Sequence, residues 1–160
     1  MKSVILAPLA LVLATLMLAG CESRQAPAAD ESANAAKPIS ITDARLVLPA
    51  VKGNPGAVYF TVHNDSTKDV TVTGAEVEGA KEAMIHQSTM VGGMSEMHEM
   101  PDALVPARGT LAFAPGGFHV MAVDLDDTLA KGGTTEVTLT FGSGEKAVFP
   151  AEVLAAGDAR

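Results

Sequence analysis

Cysteine occurs once in the 160 residues, at position 21, and basic side chains are scarce, with 11 Lys and Arg against 19 Asp and Glu. A lone cysteine forbids an internal disulfide, so stability must come from a packed core. The net charge of −8 lacks the clustered positive surface that nucleic-acid binding requires, and no nucleic-acid partner is expected. No GxSxG nucleophile turn and no His/carboxylate zinc spacing occurs, which removes the usual signs of a hydrolase. Beyond the first twenty residues no stretch carries a helical stripe with caps, and no tandem repeat is visible.

The one long apolar run is N-terminal. Met1, Lys2 and Ser3 give a short basic start, and VILAPLALVLATLMLAG then carries no charge. At about seventeen residues this run is at the lower limit for crossing ~30 Å of hydrocarbon, so a retained anchor is the weaker reading. Residues 1–20 are read as a secretory signal. Leu18-Ala19-Gly20-Cys21 resembles the bacterial lipobox, in which the cysteine is lipidated and becomes the first mature residue. The resemblance implies an exported protein held at a membrane by acyl chains. With Cys21 lipidated, no thiolate is left as a nucleophile or metal ligand.

After Cys21, the segment 21–37 continues from Glu22 with ESRQAPAADESANAAK, which has no aromatic, β-branched or large aliphatic side chain. Such a segment cannot bury enough apolar surface to offset its ordering entropy, and it reads as a flexible tether. From Pro38 to the end, about 120 residues suffice for one domain with one core. They form short β-rich runs, from ISITDARLVLP through AVYFTVHN and FHVMAVDL to KAVFPAEV, nine in all, divided by NPG, GG, PGG, KGG and GSG turns. This spacing predicts an all-β sandwich or barrel over 38–160.

The stretch KEAMIHQSTMVGGMSEMHEM at 81–100 holds five of the eight methionines and two of the four histidines. If Gly92-Gly93 is a two-residue hairpin loop, Val91 pairs with Met94, Ser88 with Met97 and His86 with Glu99. His86 and Met97 then share a face as diagonal neighbours, about 7–8 Å apart at the backbone. Met84 and Met90 share that face and read as packing between sheets. Met94, His98 and Met100 point the other way, His98 to the surface, the two methionines to the core or to an auxiliary sulfur contact. His63, at a strand end, reads as structural or solvent-facing. Downstream, His119 and Met121 are two apart on a strand and project from one side.

Two imidazole–thioether pairs form a donor set without carboxylate or thiolate. Thioether sulfur is soft and neutral, a poor ligand for Ca²⁺, Mg²⁺ or Mn²⁺, and unusual for zinc. Cu(I) accepts both donor types. Outside the cytoplasm methionine has the further merit that it cannot form a disulfide, although it can be oxidised to the sulfoxide.

The spacing is specific: ten residues separate His86 from Met97, twenty-one separate Met97 from His119, and one separates His119 from Met121. Over about 38–152 the chain thereby resembles the periplasmic copper(I) chaperones of PCuAC type, associated with the CuA site of cytochrome c oxidase. The resemblance implies a cupredoxin-like Greek-key β-sandwich in which His86, Met97, His119 and Met121 bind one Cu(I) per chain. It implies, as partner, the copper-site subunit of the oxidase or an intermediate thiol copper-transfer protein. The chain departs from some relatives in ending AEVLAAGDAR, without the His/Met-rich tail that assists copper capture. Copper buffering for tolerance, with no delivery partner, predicts the same ligands. Blue-copper electron transfer requires a cysteine thiolate that the domain lacks.

Overall fold

The computed structural model describes residues 38–158, and the expected signal, tether and Cys21 lie outside the described residues. The described residues contain ten strands and no helix: β1 (Ile39–Val47), β2 (Gly56–Asn64), β3 (Val70–Val77), β4 (Ala80–Val91), β5 (Met94–Glu99), β6 (Ala103–Val105), β7 (Gly109–Phe113), β8 (Phe118–Leu125), β9 (Thr134–Phe141) and β10 (Lys146–Leu154). Nine of these coincide with the runs legible in the sequence. The tenth, β6, is three residues long, too short to display a period, and is fixed from outside its own segment. It pairs with β3, and buried Asn64 lies within hydrogen-bonding reach of the carbonyls of Lys68, Val105 and Pro106.

The strands hydrogen-bond in the order β5-β4-β8-β7-β2-β1-β10-β9-β3-β6, with a further β8–β2 pairing. This single sheet curls so that its two halves pack face to face, since β3 touches β4 and β6 touches β7. Period-two alternation drives the curl. In β2, Val58, Phe60 and Val62 are buried while Tyr59 and Thr61 face outward. Phe60 stacks on Phe113 at 4.3 Å between ring centroids and meets Phe149 edge-on at 5.4 Å, joining β2, β7 and β10 across the interior. The pairing of β1 with β10 is parallel, so the sandwich is not a simple meander.

Two irregularities set what faces outward. Gly92 and Gly93 both have positive φ, 60° and 85°, as a tight hairpin turn demands. The β4–β5 register is the one that this turn predicts, with Ser88 opposite Met97 and His86 opposite Glu99. In β1 a bulge separates Thr42 from Arg45, with Asp43 at φ 57°. The extra residue reverses the alternation, so that Ile41 and Leu46 both turn inward while Arg45 lies opposite outward-facing Tyr59.

Replacing Phe60 by Ala should cost about 3–5 kcal/mol in chemical denaturation. Met90→Ala, at a side chain 70 % exposed, should change stability by less than ~0.5 kcal/mol.

Candidate metal centre

Four strands in lateral order, β5, β4, β8 and β2, present one outer face of the sandwich. On β4 the odd residue Ile85 belongs to the core, so even-numbered Met84, His86, Ser88 and Met90 turn outward. On β8, Val120 and Ala122 are buried in the core, leaving His119 and Met121 on the outer side. The β4–β8 register places His86 directly opposite His119 and Met84 directly opposite Met121. Directly opposed residues have Cβ atoms about 4.5–5.5 Å apart. The two imidazole centroids are 5.9 Å apart. Met97 enters from the far side of β4 as the diagonal neighbour of His86.

The structure thus gathers all four predicted residues on one face. Met97, His119 and Met121, with Tyr59 and Ser88, line a cleft of about 220 Å³ between the β8 strand and the Pro115–Gly116 turn. Met84 and Met90 do not fill space between sheets as expected, because the face of His86 is the outer face. Met90 is exposed, and Met84 is half-buried beside Met121. Met100 packs against the core, while Met94 is exposed. His98 is at the surface, 3.4 Å from the Glu96 carboxylate, and His63 bonds Thr42 Oγ1 at 3.0 Å. Neither histidine belongs to the cluster.

The two clustered histidines are prepared differently. His119 is only 5 % exposed, and its Nδ1 lies 3.2 Å from the Gly117 carbonyl. A carbonyl only accepts, so Nδ1 carries the proton and the Nε2 lone pair is left free for a ligand. The same carbonyl accepts from Ser88 N–H at 3.0 Å, tying the β4 strand to the turn that orients His119. His119 is flanked by Tyr59 at 6.3 Å, whose ring carries the Arg45 guanidinium at 5.2 Å. Burial raises the Tyr59 pKa and the nearby Arg45 opposes that rise, so the phenol stays protonated at neutral pH.

His86 has no such partner. Both its ring nitrogens are buried and neither is hydrogen-bonded within the protein. An unsatisfied buried polar group costs roughly 1–3 kcal/mol. Burial, then the neighbouring His119, hold its pKa below the ordinary 6.5, and Glu99 opposite partly offsets them. A neutral imidazole with an unengaged lone pair, beside a second one of fixed tautomer and flanked by thioethers, fits a soft monovalent cation. Among the described residues no three His, Cys, Asp or Glu side chains converge, so a hard-metal site of that kind is not formed there. Arg45, Tyr59 and the Gly117 carbonyl were not foreseen from sequence, since the bulge and turn that bring them in have no periodic signature.

The family profile described as “Putative lipoprotein LpqE-like” matches residues 39–153. The chain belongs to the LpqE-like family. A curated relative, “Putative lipoprotein Lxx21020” of Leifsonia xyli subsp. xyli (strain CTCB07), is 33 % identical over 89 residues. That match takes in 55 % of this chain and 54 % of the relative, about half of its length. Among solved structures, the solution structure of CuI-DR1885 from Deinococcus radiodurans is 31 % identical, with a TM-score of 0.63 over 84 % of this chain and 90 % of that one. The copper-bound PCuAC domain from PmoF2 is 21 % identical, with a TM-score of 0.61 over 74 % of this chain and 94 % of that one. This LpqE-like chain therefore has the cupredoxin-like β-sandwich fold of PCuAC domains, as the sequence implied.

The depressed pKa of His86 gives a pH dependence of definite sign. The unfolded chain takes up the proton first, so the stability from neutral His86 is complete above about pH 6.5 and is lost as the pH falls toward the depressed folded value. In metal-free protein, unfolding midpoints should drop over this range, and His86→Gln should flatten the drop. A slope unchanged by that substitution would contradict the assignment.

Proposed function

We propose that this LpqE-like protein is a Cu(I) carrier, held at the membrane in the periplasm by a lipid on Cys21, that supplies copper for the CuA site of cytochrome c oxidase. His86, Met97, His119 and Met121 bind one Cu(I), and the recipient is the copper-site subunit of the oxidase or an intermediate thiol protein. The observation that carries the reading is the buried, unpaired imidazole of His86 facing His119 of fixed tautomer, with thioethers on either side. The likeness to the copper(I)-named D. radiodurans structure supports it.

Every donor in this set is neutral, so binding leaves the ion's positive charge uncompensated in the site. That favours departure to a recipient presenting thiolates. Imidazole must be deprotonated to ligate, while thioethers do not titrate, so the depressed pKa of His86 keeps that ligand available in mildly acidic surroundings. Met97 lies on β5, an edge strand with every residue exposed, and is itself 53 % exposed. A recipient's ligand can approach from that side before the inner donors release. Transfer is then stepwise exchange of one ligand for another. No covalent bond of an organic substrate is made or broken, which is the work of a carrier and not of an enzyme.

Anaerobic Cu(I) titration of the full-length protein against a competing chelator should give one ion per chain. His119→Gln and Met121→Leu should each weaken binding by at least about tenfold, or ~1.4 kcal/mol. Unchanged affinity in both variants would contradict the site. Deletion in the living cell should lower oxidase activity when copper is scarce. An effect confined to survival in excess copper would favour buffering.

A further inference from the structure

The register contains a fifth soft donor that the four-residue spacing leaves out. Met84 is the direct cross-strand partner of Met121 and lies two residues from His86 on the same face of β4. Met84, His86, His119 and Met121 therefore occupy the corners of a rectangle formed by two successive cross-strand pairs, with sides of about 5 Å across and about 7 Å along the strands. Met97 lies outside this rectangle, on the next strand. Met84 is half-buried, yet unlike Met100 it is not among the residues packed on the core. A thioether partly shielded from water, without a core to fill, is placed for a ligand.

We infer that Met84 is a reserve copper ligand that takes the place of Met97 when the exposed hairpin strand lets go of the ion. This rests on the copper reading of the site. The two sulfurs differ in setting and not in chemistry. Met97 is on the exposed edge strand β5, whereas Met84 is on the part of β4 that pairs with β8 and precedes the β4–β5 ladder, which begins at His86. In the exchange one Cu–S bond to Met97 breaks and one Cu–S bond to Met84 forms. Copper stays Cu(I), no proton moves, and the charge of the site is unchanged. The ion remains bound by two imidazoles and two thioethers while its β5 side opens to an incoming ligand. The hairpin thus serves as the removable wall of the site, and Met84 makes its removal inexpensive in binding energy.

The test uses full-length protein, Cu(I) alone as the probe, and the variants Met84→Leu, Met97→Leu and the double variant. Leu conserves the volume and shape class of Met, and an unchanged thermal midpoint of the metal-free proteins verifies folding. Anaerobic affinity and the sulfur neighbours seen by X-ray absorption are measured together. Met97→Leu should retain two sulfur neighbours and lose less than about tenfold in affinity. The double variant should retain one sulfur and lose at least about tenfold more. Met84→Leu alone should keep two sulfur neighbours, those of Met97 and Met121. If Met97→Leu already has a single sulfur, and adding Met84→Leu changes neither readout, the reserve role is wrong while the four-ligand site stands. If the native protein itself lacks a complex with two nitrogen and two sulfur neighbours, the copper reading fails and this inference fails with it.

Discussion

The pairing of His86 with His119 across β4 and β8 is the constraint on which the rest depends. It sets two imidazoles side by side, tilted at 45° to each other, on the outside of the sandwich, and the same ladder brings Met84 opposite Met121. A slip of one residue would send His86 into the apolar interior and Ile85 into the site. That slip is opposed by the burial of Ile85, Val120 and Ala122 on the inner face. Core packing, which contributes no donor atom, thus holds the geometry of the proposed copper site.

The site's polarity follows from how unevenly its groups are satisfied. His119 is held by the Gly117 carbonyl and hemmed in by Tyr59, which Arg45 covers in turn. His86 is left with two buried nitrogens lacking partners. A fully bonded pair would have no reason to take up an ion, and a fully exposed pair would be hydrated. One oriented imidazole and one unsatisfied imidazole, with uncharged sulfurs beside them, favour a soft cation over a proton or a hard metal. The cost of leaving His86 unpaired is offset by the packed apolar core of the sandwich, to which its neighbours Ile85 and Val120 belong.

What could be read from the sequence was local. Gly92-Gly93 fixed the turn, the turn fixed the register, and the relation of Met97 to His86 followed by counting. His119 and Met121 share a side by the two-residue period alone. The meeting of the two pairs is a pairing between distant segments, for which composition and period hold no signal; only the motif spacing stood in for it. Counting also puts Met84 on the face of His86 but does not tell which face is interior, so from sequence alone Met84 reads as packing. The bulge at Asp43 and the three-residue β6 were hidden for a similar reason. One reverses a period and the other is too short to have one.

The most direct measurement of the central claim is the nitrogen-15 chemical shift of the four imidazole rings before and after one equivalent of Cu(I). The account predicts that one nitrogen of His86 and Nε2 of His119 shift on binding. His119 Nδ1 should keep its proton, and the rings of His63 and His98 should not change. Unmoved resonances for His86 and His119, or a shift confined to His63 or His98, would contradict it.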